Sequence, residues 1–352
     1  MNSILMTAFG AGLALMAVWG VAESWTPPPP DFPQTEISNG VVRAKVYLPD
    51  ARKGYYRGTR FDWSGVVAAL EYKGKNFYGP WYNRIDAKVN DFTYEGKEIV
   101  ASPCSGIPGP VEEFETDQKG LGFDEAKVGG TFIKIGVGVL RKDQPEYDYV
   151  KLYDIVNPGK WTVEAHPDSV EFTHELTDAA TGYGYVYRKT VRLVPGKPGM
   201  VLEHSLKNTG RRVIPTRVYN HNFLVLEHQT PGPDFSLTFP FQIKTPEPPN
   251  PQLLAIRGNQ VVYLKTLEGK EVATVPIAGF GDSPRDNEVR IENHRVGAGM
   301  VIRGNRPLSS VNLWSIRSVL AVEPFVAMTI EPGHEFTWEV SYDYYTLEPA
   351  AK

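Results

Sequence analysis

The chain has one cysteine, Cys104, among its 352 residues. That excludes an intramolecular disulfide, a Cys-x-x-Cys redox pair and any cysteine-based zinc set, and no His/Cys cluster has zinc-ligand spacing. A lone cysteine reads as a small buried hydrophobe, and no role is assigned to it. Long runs of like charge are also missing. The 37 basic and 41 acidic side chains are interspersed, for a formal net charge of −4. No Lys/Arg stripe is present to follow a phosphate backbone, so nucleic acid is not the expected partner and a small uncharged molecule is. Long helices are excluded by the lack of any sustained 3.6-residue period and by 33 Gly and 29 Pro spread along the chain. No fixed-period repeat of the propeller or solenoid kind is present.

One long apolar run exists, from Met1 to Ala22, ending in the small residues Gly20-Val21-Ala22. It reads as a signal peptide over 1–22, followed by a stiff Pro-rich linker over 23–36 with prolines at 27–30. Export to a periplasmic or secreted location is the expectation. The alternative is an uncleaved N-terminal anchor, which would make a membrane a partner as well.

The remainder, residues 37–348, reads as a single β-rich domain. Val42, Ala44, Val46 and Leu48 alternate with polar or smaller residues, as do Tyr185, Tyr187, Lys189, Val191 and Leu193. Met200, Leu202, His204 and Leu206 form the next such run, and Phe336, Trp338, Val340, Tyr342 and Tyr344 the last. Period two with aromatic and β-branched residues marks half-buried strands. Turn pairs such as Lys73-Gly74, Glu95-Gly96 and Pro332-Gly333 separate the runs. The Pro-rich stretch from Lys244 to Gln252 reads as a surface loop within the domain. The fold class is therefore all-β, with two large antiparallel sheets packed face to face. The composition includes 18 Tyr, 16 Phe and 7 Trp, which suits strands and sugar rings alike.

Polar residues concentrate in three strand-like segments: Tyr78–Ile85 with Tyr94–Lys97, Tyr219–Phe223, and Glu323–Phe325 with the turn before the last strand. A fourth segment, Tyr55–Trp63, is dense in aromatics and charge. Its Arg60 is a candidate for a sugar cleft, while Phe61 and Trp63 read as packing residues.

These segments resemble, in order, those of the aldose 1-epimerase (galactose mutarotase) superfamily. Asn83-Arg84-Ile85 with Gly96-Lys97 is similar to the family's first motif. Asn220-His221-Asn222-Phe223 is similar to the segment bearing its catalytic acid. Glu323-Pro324, Pro332-Gly333 and Tyr342-Asp343-Tyr344 follow its C-terminal pattern. The resemblance implies a galactose mutarotase-like β-sandwich and acid–base interconversion of sugar anomers, with Glu323 as base and His221 as acid. Arg84, Asn83, Asn220, Asn222 and Arg60 would bind the sugar, and no metal or organic cofactor would be needed. The substrate would be a free or terminal sugar.

The chain departs from the family at one place. Where the family has a second His in a His-Gly-Gly segment, this chain has Gly109-Pro110-Val111-Glu112-Glu113-Phe114. Glu112 and Glu113 become candidate sugar ligands that accept where an imidazole would donate. They also leave room for a glycoside hydrolase or lyase, with a carboxylate facing Glu323. A carbohydrate-binding protein without catalysis is the other alternative. The family's sugar-binding Asp has only positional counterparts, Asp282 and Asp286. If the epimerase reading holds, His221 and Glu323 should converge on one pocket, on opposite sides of a ring-sized gap.

Overall fold

A computed structural model of the chain describes residues 32–347. The expected leader, 1–22, and residues 23–31 of the expected linker lie outside them. Each period-two run is a strand: Val42–Tyr47, Gly184–Leu193, Gly199–Asn208 and Glu335–Thr346. In Gly184–Leu193 the buried face is Tyr185, Tyr187, Lys189, Val191 and Leu193, the set that the alternation selects. The domain boundary moves from 37 to an earlier residue. Gln34–Ser38 is already a strand paired with Val42–Tyr47, anchored by the buried Ile37. Among the described residues helical structure is confined to two 3-10 turns, Leu226–His228 and Pro284–Asp286. No helix there is long and apolar enough to cross a membrane.

The strands form a large antiparallel sandwich. One sheet has five strands, in the order Ala273–Ile277, Ser310–Ile316, Val319–Ile330, Ile214–Phe223, Gly109–Glu115. The other has ten, running from Lys160–Ala165 at one edge to Leu254–Arg257 at the other. Gly184–Leu193, Gly199–Asn208 and Glu335–Thr346 are neighbours inside it. The facing sides share one core, with Val218, Leu313 and Val322 from the smaller sheet and Tyr187, Leu202 and Tyr342 from the larger. Burial of each such side chain contributes about 1.5–3 kcal/mol.

Charge is built into this core. Lys189 and His204, the polar members of two apolar runs, are opposite each other in register, and both reach Glu112 of the smaller sheet. Lys189 Nζ pairs with the Glu112 carboxylate, donates to the Ser64 carbonyl at 3.0 Å and lies 4.0 Å from Asp62. His204 Nε2 is 2.9 Å from Glu112 Oε1, which also accepts from Asn220 Nδ2 at 2.8 Å. The Lys189 ammonium, the largest influence opposing burial, holds the Glu112 carboxyl down at about 2. Such a network is satisfied only as a whole, and deleting one charge leaves another buried and unpaired.

Candidate functional site

Strand parity decides which residues reach the outer face of the five-stranded sheet. In Ile214–Phe223 the residues Arg217, Tyr219, His221 and Phe223 share the outer face, while Asn220 and Asn222 turn inward. In Val319–Ile330 the outer set includes Glu323 and Phe325, and in Ser310–Ile316 it includes Asn312 and Trp314. All of these outer side chains but Arg217 line a cleft of about 330 Å³, closed on its other side by Arg60, Trp81, Asp91, Phe92 and Tyr149.

A break in the sheet sits at the centre of this cleft. The ladder between Ile214–Phe223 and Val319–Ile330 runs as far as Tyr219 opposite Phe325 and resumes at the bridge between Leu224 and Leu320. Pro324 lies in the gap and has no N–H to donate, so the ladder to Ile214–Phe223 is broken there while pairing with Ser310–Ile316 continues through it. The side chain of Asn222 fills part of the gap, donating to the Val322 carbonyl at 2.7 Å. Across the gap the unchanged register sets His221 opposite Glu323. The two meet as a cross-strand pair, Nε2 to Oε1 3.0 Å, with side chains 6% and 10% exposed.

The pair is held apolar on most sides. The His221 ring stacks on Phe223 at 3.7 Å between centroids and meets Phe61 and Trp314 edge-on. Burial is the largest influence on both groups. It pushes the Glu323 carboxyl up to about 7, against the hydrogen bond that Asn312 Nδ2 donates to Oε2 at 3.0 Å. It holds the His221 imidazole well below its ordinary range, with the Arg60 charge adding to the effect. Burial therefore favours a single proton on the pair below about pH 7, held on the carboxyl. His221 Nδ1 is buried with no hydrogen-bond partner among the described residues, so no group on the far side of the ring fixes its tautomer.

Arg60 is the second feature of the cleft. Its Nε donates to Glu113 Oε2 at 2.7 Å and its Nη2 to the Tyr219 hydroxyl at 3.2 Å. Its Nη1 lies 4.0 Å from Asp91, and the guanidinium is sandwiched between the rings of Phe61 and Tyr149 at 4.5 and 4.7 Å. Lys134 Nζ donates to the other Glu113 oxygen at 2.8 Å, and Tyr219 OH donates to Oε2 at 2.5 Å. These cations hold the Glu113 carboxyl below its ordinary value although burial opposes them.

The structure brings together three of the residues singled out from the sequence, His221, Glu323 and Arg60. It separates the others. Arg84, with a side chain 41% exposed, pairs with Asp86, Glu95 and Glu98 on a surface hairpin. Exposed Asn83 accepts from the Ile99 N–H beside it. Glu112, Asn220 and Asn222 belong to the inter-sheet core, because even positions in their strands face inward. Glu113 is on the outer side but lies behind Arg60, with both oxygens occupied. Asp282 and Asp286 lie around the Pro284–Asp286 turn, away from the cleft, and Asp286 accepts from the Gly281 N–H. The expected ring-sized gap between His221 and Glu323 is absent, since a cross-strand pair has no room for one. Sequence reasoning missed Asn312, Trp314, Tyr149 and Asp91. Only the first two carried a signal, the polar–apolar alternation of Ser310–Ile316.

No family model and no curated protein matches the chain. Solved structures do match in fold. The chain is similar to the Slr1438 protein of Synechocystis sp. PCC 6803, with a TM-score of 0.53 and 12% identity over 92% of this chain and 98% of that one. It is similar to a galactose mutarotase related enzyme from Lactobacillus acidophilus, with a TM-score of 0.52 and 13% identity over 91% and 99% of the two chains. At such identity the likeness is one of fold.

Proposed function

We propose, from a galactose mutarotase-like sandwich as the premise, that the cleft binds an uncharged sugar and that His221 and Glu323 interconvert its anomers. The observation that carries this reading is the buried His221–Glu323 pair, set 3.0 Å apart in an aromatic-walled cleft. Opening a cyclic hemiacetal takes the proton from the C1 hydroxyl and adds one to the ring oxygen as the C1–O ring bond breaks. Rotation about C1–C2 and the reverse transfers then give the other anomer. Both oxygens are bonded to the same carbon, so the acid and the base work side by side, and no ring need separate them.

One proton is enough for this pair. With it on Glu323, the carboxyl protonates the ring oxygen while the His221 imidazole accepts the hydroxyl proton, and ring closure returns both groups to their starting state. The roles implied by the family resemblance, Glu323 as base and His221 as acid, correspond to the same pair with its proton on the imidazole. Burial favours the first placement, since it leaves both groups uncharged.

The charge pattern supports an uncharged sugar. Arg60, which lines the cleft, is committed to Glu113 and Tyr219, and Arg217 beside it on the same sheet face is paired with Glu115. Trp314 and Tyr149 offer aromatic surface to the ring, and Asn312, Asp91 and Glu323 offer polar atoms to its hydroxyls. Hydrolysis with a carboxylate from 112–113 facing Glu323 is disfavoured, because Glu112 is turned into the core and Glu113 is saturated.

The test is a mutant cycle on anomerisation rate and sugar affinity. His221→Asn and Glu323→Gln should each lower turnover by at least ~100-fold with little change in affinity. The double variant should be little worse than the poorer single, since the two act as one unit. Full activity in His221→Asn would reduce His221 to a structural strand residue. Sugar binding with no rate above buffer would make the protein a carbohydrate-binding one.

A further inference from the structure

The sheet face that carries the pair continues beyond it. The outer residues of Ile214–Phe223 run on from His221 and Tyr219 to Arg217 and Pro215. Register sets Arg217 beside Glu115 and Ala327, and Pro215 beside Thr329. Val319–Ile330 is the central strand of its sheet, yet Ala327 and Thr329 are small and exposed. Around them lies a second concavity of about 260 Å³, which meets the cleft at Glu115.

The floor between the two is continuous and polar. Arg217 Nη2 and Nε donate to Glu115 Oε2 at 2.7 and 2.9 Å. The Arg217 guanidinium lies 4.6 Å above the Phe325 ring, which itself lines the cleft. Thr329 Oγ1 and the Gln118 amide, on the two concavities, have no side-chain hydrogen-bond partner among the described residues. From His221 to Pro215 the face extends about 20 Å at ~3.4 Å per residue, well beyond one pyranose ring.

We propose that cleft and concavity form one groove for a neutral reducing oligosaccharide. The reducing-end ring sits at His221–Glu323 and the next ring lies over Ala327 and Thr329, facing the Glu115–Arg217 pair. This rests on the anomer-interconverting reading, because only the reducing-end ring has an unsubstituted hemiacetal carbon for the pair to act on. The rest of the chain must then leave the cleft, and this concavity is the polar, exposed sheet surface that adjoins it along the same strands. The paired charges of Glu115 and Arg217 suit hydroxyls and disfavour an ionised substituent.

The experiment titrates the full protein with glucose, galactose, and their α-1,4- and β-1,4-linked di- and trisaccharides, while anomer exchange is followed in the same samples. At least one disaccharide should bind about 10-fold or more tighter than its monosaccharide, the worth of one hydrogen bond to a charged group. The variant Ala327→Ile with Thr329→Ile fills the concavity with residues that suit an exposed strand. It should bring the longer sugars down to monosaccharide affinity while leaving monosaccharide binding and exchange unchanged. Equal affinity for all lengths overturns the proposal, as does a length dependence that survives the double substitution. Length-dependent binding without anomer exchange would retain the groove and remove the catalytic reading. Monosaccharide exchange without length dependence would do the reverse.

Discussion

Glu323→Gln is expected to make the protein more stable at neutral pH as it makes it inactive. The glutamine amide has the shape of the protonated carboxyl, and its oxygen can accept from Asn312 Nδ2 as Glu323 Oε2 does. What it lacks is a proton to lose. Below about pH 4.5 the carboxyl is neutral in both folded and unfolded chains. Between its ordinary value of 4.5 and about 7, the unfolded chain releases a proton that the folded chain keeps. The Glu323 contribution to stability therefore falls with rising pH at about 1.4 kcal/mol per pH unit, and the loss levels off above about 7. Over that span the loss comes to about 3 kcal/mol, a sizeable part of a typical folding free energy of ~5–15 kcal/mol. Urea unfolding of both proteins, followed by tryptophan fluorescence from about pH 4 to about pH 8, measures the difference directly. Other titrating groups contribute to each curve and largely cancel between them. The gap should widen by about 3 kcal/mol in the variant's favour. A flat difference across the range would mean an ordinary carboxyl at 323, and the one-proton pair would have to be abandoned.

The pH dependence of catalysis follows from the same group. Anomerisation should decline as pH rises through about 7, because Glu323 then gives up the proton it must donate, and a rate still climbing well above that value would contradict the mechanism. Arg84→Ala should leave sugar affinity unchanged, since its partners are surface carboxylates, whereas Arg60→Ala should weaken binding by at least about 10-fold. Titration calorimetry on the two variants separates a cleft residue from a surface one. Lys189→Met should destabilise the fold by about 3–5 kcal/mol by leaving Glu112 and Asp62 buried without their cation, which chemical unfolding reads out.

How much was legible in the sequence depends on the kind of information required. Strands and their buried faces were legible wherever a long run alternated, even for Lys189 and His204, which follow the apolar set into the core. Parity was not legible in the segment Gly109–Glu115, where apolar residues occupy both faces, so nothing local separates inward Glu112 from outward Glu113. Asn220 and Asn222 were misplaced for a related reason. A short motif centred on His221 draws attention to its neighbours, but the period of two turns those neighbours away from it. Arg84 carried a motif likeness without a site, since its hairpin lies on the surface. The closeness of His221 and Glu323 depends on pairing between strands about a hundred residues apart and on the gap at Pro324. Neither is a local property of the chain. Asp91 and Tyr149 come from irregular loops and left no periodic trace.

The central claim is that the pair turns over an uncharged sugar, and anomer exchange measured on pure anomers tests it most directly. One- and two-dimensional NMR of freshly dissolved α and β forms, with and without protein, gives the exchange rate for each sugar in a panel of neutral aldoses. At least one aldose should equilibrate faster with the wild type than in buffer, and this acceleration should fall by at least ~100-fold with Glu323→Gln. If no aldose exchanges faster with the wild type than in buffer, or if Glu323→Gln retains the full rate, His221 and Glu323 do not perform the chemistry assigned to them.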